Sequence, residues 1–356
     1  MEDVVQNIAR HQIDARGQRA RIITLDRVFR KRDDRLARNG LVDGISVVRL
    51  PFFGSERYPL CPAVIRHIQS ADVVHVHGID FFFDFLALTK SVHGKPLIAS
   101  THGGFFHTRF ASRLKQLYFR TITRTSAKSY NKVVATSEND GTRFGRIIGP
   151  EKLKVIENGV NIEKYSDKSS GILTPTLIYF GRWSVNKGIL DTIEFFKLLA
   201  VRNPAWRLIL AGREYDYTAN DLAAAVRRAG LEHRVIVVPN PTEQELAALI
   251  EQSSYFICLS KHEGFGIAPI EAMSAGLVPV LSDIPPFRRL VEQSRLGMIV
   301  AKVGIGKAAA ELESMHSAGH AKHLDRKTGV KRFAEQYGWR DAASRYADMY
   351  CELAEL

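Results

Sequence analysis

The chain has 356 residues, 45% hydrophobic and 25% charged, and carries a net charge of +12. That composition fits a soluble globular protein of two domains and excludes a disordered chain; no apolar run approaches the roughly 20 residues of a membrane-spanning helix. Three scattered cysteines (Cys61, Cys258, Cys351) exclude a disulfide framework or cysteine metal cluster and fit a reducing compartment, while the basic surplus asks for an anionic partner: nucleic acid, membrane surface or phosphorylated substrate.

The opening MEDVVQNIARHQ is polar and charged at helical spacing, with Val4, Val5, Ile8 and Ala9 on one face. This predicts a helix and not a secretory signal. Doubly wound domains ordinarily open on a strand and a tight glycine-rich turn, so a first strand is expected to be missing from the N-terminal domain. Either the fold lacks it or the chain begins downstream of its true start; an unfilled position would leave a sheet edge open. Short β-branched runs then alternate with helical patterns: RIITL (21–25), SVVRL (46–50), VVHVH (73–77), PLIAS (96–100), KVVAT (132–136) and LKVI (153–156). After the polar stretch NIEKYSDKSSGILTP (161–175), read as a linker, a second series runs TLIYF (176–180), RLILA (207–211), RVIVV (234–238), YFICL (255–259), VPVLS (278–282) and GMIV (297–300). Continuous apolar runs of this length read as strands covered on both faces, and their alternation with helices predicts βαβ units. The fold class expected is α/β: two facing doubly wound Rossmann-like domains, 1–165 and 166–337, with ligands in the cleft at the carboxyl ends of the strands.

Within the first domain, residues 107–132 hold seven Lys and Arg and no acid. Arg109, Arg113, Arg120 and Arg124 form one stripe at 3.6 residues per turn, with Phe110, Leu114, Leu117, Tyr118 and Ile122 beside and opposite it. Such a helix rests on anionic lipid or packs on the core with a solvated basic face. FFFDF (81–85) reads as a membrane or acceptor contact, or as core. RNA binding is disfavoured because no RNP, KH or zinc-knuckle pattern is present.

Two segments of the second domain carry chemistry. In GRWSVNKG (181–188), Gly181 permits a tight turn after a strand, and Arg182 and Lys187 flank the start of the next helix. Free N–H groups and positive potential there, with two cations, suit a diphosphate leaving group without a metal, or are simply solvated basic residues. In HEGFGIAPIE (262–271), a glycine loop joins a strand to a helix at 268–275. Gly264 and Gly266 allow close backbone approach to a ligand, and Glu263 and Glu271 suit vicinal hydroxyls, one on a sugar and one on a ribose. The plain alternative is an acid complementing a helix dipole.

EGFGIAPIE resembles the E-x7-E motif of the retaining GT-B glycosyltransferases of the glycogen-synthase-like family 4. GRWSVNKG resembles that family's GR-x4-KG segment, VIENGVN (155–161) its interdomain NGV turn, and STHGG (100–104) its first-domain histidine loop. The resemblance runs in the family's order over most of the chain. It implies that Arg182 and Lys187 hold the donor diphosphate. Glu263 would lie near the donor sugar, with Phe265, Gly266 and Ile267 as backbone donors to its hydroxyls, and Glu271 would take the ribose. His102 matches the histidine near the reacting centre; without the resemblance it reads as an ordinary loop histidine, and His75 reads as core. Asn158, Gly159 and Val160 read as hinge and packing residues. A closing helix, 338–356, is expected to rejoin the first domain.

The N-terminal and STHGGFFHT segments are most similar to the α-mannosyltransferases of acetan/xanthan-type exopolysaccharide assembly. That implies transfer of mannose from GDP-mannose to a polyprenyl-diphosphate-linked oligosaccharide, with no metal or other cofactor. It also implies a cytoplasmic enzyme, peripheral on the inner membrane through the basic helix, with no nucleic-acid partner. The alternatives are a UDP-hexose donor, a lipopolysaccharide acceptor, or a catalytically silent sugar-nucleotide- or lipid-binding relative.

Overall fold

A computed structural model of the chain describes residues 2–28, 31–55, 58–102, 116–301 and 303–355. The chain divides into two compact units: Met1–Gly159 with Trp339–Leu356, and Val160–Gly338.

The first unit opens on helix α1 (Glu2–Arg16), whose Val4, Ile8, Ala9 and Gln12 are buried along one face. Its strands include β1 (Arg21–Leu25), β2 (Asn39–Val42), β3 (Ile45–Leu50), β4 (Val74–His77), β5 (Leu97–Ser100), β6 (Lys132–Ala135) and β7 (Leu153–Val155). β3 pairs with β1 in parallel and with β2 antiparallel. β4 to β7 form a parallel sheet in the order β7-β6-β5-β4. Among the described residues, β1 and β4 each carry a ladder on one side only. The antiparallel β2, Asn39–Val42, carries no apolar run of its own and was not legible as a strand.

On one side of these strands, Leu25, Leu50, Val76, Leu97 and Val133 share a core with Phe81 and Phe83 of helix α2 (Phe81–Leu88). FFFDF is therefore core: Phe83 is fully buried, its ring 4.5 Å from that of Tyr130, and the Asp80 carboxylate caps the helix by accepting from the Phe82 N–H. A second cluster joins Val4 and Ile8 to Ile98, Val134 and Ile156, sealed by Tyr346, Met349 and Leu353 of the C-terminal helix Trp339–Ala354. Each such side chain contributes about 1.5–3 kcal/mol of transfer free energy, so this helix is held in the first unit by its apolar stripe. Gln12 adds a bond from Nε2 to the Ala343 carbonyl at 3.1 Å.

The basic segment differs from a straight helix. Phe119–Thr123 is a π-helical turn, followed by an α-turn at Arg124–Ala127. Arg109, Phe110, Arg113 and Leu114 lie outside the described residues. Phe119, Thr123, Ser126 and Ala127 face inward, whereas Leu117 is 59% and Ile122 47% exposed, alongside exposed Arg120, Arg124 and Lys128. The extra residue in a π-turn rotates the following face, which a fixed 3.6-residue period does not anticipate.

The second unit holds six parallel strands: β8 (Thr176–Trp183), β9 (Arg207–Glu214), β10 (Val235–Pro239), β11 (Tyr255–Cys258), β12 (Val278–Ser282) and β13 (Met298–Val300), in the order β10-β9-β8-β11-β12-β13. Leu177 to Phe180, Leu208 to Ala211 and Tyr255 to Cys258 are all buried, the burial expected of strands covered on both faces. The stretch 161–175 lies within the second unit, largely exposed but anchored to it at a few buried residues. Tyr165 is buried with its ring 6.0 Å from that of Phe180, and Lys327 Nζ donates to the Ser169 and Ser170 carbonyls at 3.0 and 3.2 Å. Polar composition did not reveal this anchoring, because the donor to the Ser169 and Ser170 carbonyls comes from a distant helix.

Candidate active site

The strand order of the second unit reverses beside β8. The chain builds outward through β9 and β10, then crosses to lay β11, β12 and β13 on the other flank. Such a switch point opens a crevice at the carboxyl ends of its two central strands. Both sequence motifs leave the sheet there.

GRWSVNKG spans the end of β8, a 3-10 turn at Val185–Lys187 and the start of helix α3 (Ile189–Arg202). Arg182 is still in β8 and exposed, its guanidinium 5.0 Å from the centre of the Tyr215 ring. Trp183, fully buried, anchors the turn. Gly188 caps α3 at φ +64°, and a Cβ there would stand 1.9 Å from the Leu259 carbonyl oxygen. Only glycine lets the two loops come this close.

The loops are stitched by their backbones. The Lys261 N–H donates to the Asn186 carbonyl at 2.8 Å, and Asn186 Nδ2 donates to the His262 carbonyl at 2.7 Å. This brings Lys187 Nζ within 2.6 Å of Glu263 Oε1, which also accepts from Ser260 Oγ at 2.7 Å. With 22% and 13% of their side chains exposed, the pair is shielded enough for the charge-assisted bond to matter. Beyond it, Gly266 at φ +100° caps helix α4 (Ile267–Ser274), and no side chain caps its first turn. Phe265 and Ile267 flank that cap, the Phe265 ring edge-on to Tyr337 at 5.7 Å. Glu271 follows one turn into α4, half-buried. The neighbouring Cys258 is no nucleophile, because burial pushes its thiol up to about 11.

His102 belongs to the first unit. It sits just beyond β5 at φ +46°, and its Nε2 lies 2.9 Å from His77 Nδ1. Burial lowers His102 to about 4 and His75 to about 3, and drives His77 well below its ordinary value. All three rings are neutral at pH 7.

Residues 1–164 match the family model described as Glycosyltransferase Family 4, and residues 164–327 that described as Glycosyl transferases group 1. The chain is 50% identical over 350 residues, 98% of its own length and 92% of the relative's, to the GDP-mannose:cellobiosyl-diphosphopolyprenol alpha-mannosyltransferase of Xanthomonas campestris. It is 43% identical over 360 residues, 99% and 89% of the two chains, to the protein of that name from Komagataeibacter xylinus.

The chain belongs to glycosyltransferase family 4.

The family-4 transferase has the GT-B fold. It superposes on a glycosyltransferase from Rickettsia africae ESF-5 with a TM-score of 0.76 at 16% identity, covering 99% of this chain and 94% of that one. It also superposes on WaaG, a glycosyltransferase involved in lipopolysaccharide biosynthesis, with a TM-score of 0.64 at 15% identity, covering 98% and 95% of the two chains.

Of the residues singled out in the sequence, the structure gathers Arg182, Lys187, Glu263, Phe265, Gly266, Ile267 and Glu271 on the transferase's second unit, on segments leaving neighbouring strands β8 and β11. His102 lies on the first unit; Gly103 and Gly104 of its loop are outside the described residues. Three neighbours were given no role from the sequence: Asn186 and Ser260, which bond across the loops, and His77, whose Nδ1 lies 2.9 Å from His102 Nε2. His77 had left a trace, since His75 and His77 alternate onto one face of β4.

Proposed function

We propose that this family-4 enzyme is a retaining α-mannosyltransferase that moves mannose from GDP-mannose onto a polyprenyl-diphosphate-linked oligosaccharide of bacterial exopolysaccharide synthesis. One observation carries the reading: identity of 43–50% over 98–99% of the chain with three transferases whose names give GDP-mannose and cellobiosyl-diphosphopolyprenol.

The site supports it chemically. As the bond from mannose C1 to the phosphate oxygen breaks, negative charge grows on the diphosphate. On this reading Arg182 and Lys187 would stabilise that charge. Glu263 and the N–H groups of Phe265, Gly266 and Ile267 would hold the mannose hydroxyls, Glu271 the ribose, and His102 the reacting end of the sugar. The acceptor hydroxyl attacks C1 on the leaving-group face, and its proton passes to the departing phosphate oxygen. Configuration is thus retained without an enzyme-bound sugar. This reading gives charge neutralisation to side chains and requires no metal.

The test is incubation of the full chain with labelled GDP-mannose and cellobiosyl-diphosphopolyprenol. Labelled lipid-linked trisaccharide and GDP are expected. Turnover of UDP-glucose alone would move the assignment to the UDP-hexose alternative, and nucleotide binding without any transfer would make the chain a silent relative.

A lipid-borne acceptor requires the enzyme to work at a bilayer, on this reading as a peripheral protein of the cytoplasmic face. Among the described residues no helix is long and apolar enough to cross a membrane. Exposed Arg120, Arg124 and Lys128 beside exposed Leu117 and Ile122 support surface contact with anionic lipid. Each cation at such a surface contributes about 1 kcal/mol, so neutralising two should weaken binding roughly 30-fold. Arg120→Gln with Arg124→Gln should therefore fail to sediment with phosphatidylglycerol vesicles that retain the parent. Equal sedimentation would remove this helix from the membrane contact.

A further inference from the structure

We propose that His77 is a positioning residue for His102, holding its imidazole in a single neutral tautomer and a single orientation. The inference rests on the transferase reading only for what His102 does; the contact itself is structural.

Three features of the geometry carry it. First, the contact is a hydrogen bond and not a stacking interaction, although the two rings are nearly parallel at 24°. The ring centroids are 5.2 Å apart and the nitrogens 2.9 Å apart, a difference of one ring radius at each end. The N···N line therefore points along both rings, the direction in which an imidazole donates or accepts.

Second, both rings are neutral, so one nitrogen of the pair carries the proton and the other its lone pair. If His77 Nδ1 accepts, His102 Nε2 is protonated and His102 Nδ1 is left as an acceptor. If His77 Nδ1 donates, His102 Nδ1 becomes a donor. The His77 tautomer thus decides what the second nitrogen of His102 offers a substrate hydroxyl.

Third, His77 is itself held. Its ring stacks on His75 with centroids 4.0 Å apart and a tilt of 32°. His75 is pinned at both nitrogens, Nδ1 to the Tyr350 hydroxyl at 2.6 Å and Nε2 to the Ser100 hydroxyl at 2.8 Å. Ser100 in turn meets the Tyr346 hydroxyl at 3.2 Å. Both tyrosines come from the C-terminal helix, so the end of the chain braces a column of rings ending at His102. His102 needs the brace, because its backbone lies in the left-handed region at φ +46°, where a residue bearing a Cβ is strained.

The test compares three substitutions in the full chain. Asn places its side-chain amide where His Nδ1 stands and can donate or accept; Gln reaches the position of Nε2 instead; Ala reaches neither. In the parent labelled with 15N-histidine, long-range 1H–15N correlation spectra should show His102 as one neutral tautomer. His102 Nε2 should keep the shift of a hydrogen-bonded nitrogen in His77→Asn, whereas in His77→Ala and His77→Gln the His102 shifts should become an average of two tautomers. Transfer should follow the same order. We expect kcat to fall 10- to 100-fold in the Ala and Gln variants, with donor KM within about 3-fold, and to recover to within several-fold in Asn. Unchanged His102 nitrogen shifts in a folded His77→Ala or His77→Gln would overturn the proposal. So would a folded His77→Asn as slow as His77→Gln. Because the spectra need no substrate, a parent chain inactive with GDP-mannose would count against the transferase reading and leave the histidine contact to be judged on its own.

Discussion

Lys187→Ala is expected to lower kcat/KM for mannose transfer from GDP-mannose by ~10²–10³-fold, about 2.7–4 kcal/mol, the loss that follows removal of one preorganised charge-stabilising donor. The size of the effect comes from where the ammonium stands. It lies at the switch point of the second unit, 2.6 Å from Glu263, on a turn fixed by a buried tryptophan and by the backbone of the opposite loop. Little of the donor's binding energy is then needed to place it. Removing it also strips Glu263 of its counter-charge, leaving Ser260 as the partner on Oε1 at 2.7 Å. A drop of a few degrees in melting temperature should accompany the kinetic loss. Steady-state kinetics with GDP-mannose, alongside circular dichroism, separate the two effects. A variant with kinetics near those of the parent would remove Lys187 from the diphosphate.

Gly188→Ala should be the most destabilising of the small substitutions at this site. Two costs coincide. The residue is left-handed at φ +64°, and the added Cβ would meet the Leu259 carbonyl oxygen at 1.9 Å. The first costs about 1–2 kcal/mol. The second is backbone against backbone, with no flexible side chain to yield, so the loop after β11 must shift, at about 1–3 kcal/mol. A total near 3 kcal/mol lowers the melting temperature of a unit of this size by about 10 °C. Gly264→Ala is the comparison, because a Cβ there meets nothing within 4 Å and its φ is not positive. It should melt within a degree or two of the parent. Scanning calorimetry reads both. If Gly188→Ala melts with Gly264→Ala, the close approach of the two loops does not exist in solution.

The strands were the most legible part of the chain. RIITL and VPVLS are strands to the residue, because a short apolar, β-branched run between turn signals permits little else; VPVLS is buried almost throughout, whereas in RIITL only Leu25 is. β8 and β9 outran their apolar cores, continuing through Arg182 to Trp183 and through Arg213 to Glu214. Their register with each other carries the polar ends into the ladder, and one sequence window does not contain that pairing. The polar stretch 161–175 belongs to the second unit for a related reason: Lys327, which donates to its Ser169 and Ser170 carbonyls, lies more than 150 residues away. The π-turn at Phe119–Thr123 failed as a regular helix because the residues that choose its inward face, Phe119 and Thr123, do so against a core assembled from elsewhere.

By itself the sequence determined the alternation of strands and helices, the family, and the residue types of the candidate site. Each of these is written in a short window: a β-branched run, a glycine turn before a helix, a pair of cations or acids at fixed spacing. The tertiary structure alone decided which of those windows meet. Lys187 and Glu263 are 76 residues apart, His77 and His102 are 25, and Gln12 and Ala343 are 331. The physical reason is that strand order places loops side by side irrespective of their distance along the chain, and strand order is set by the burial of whole sheet faces.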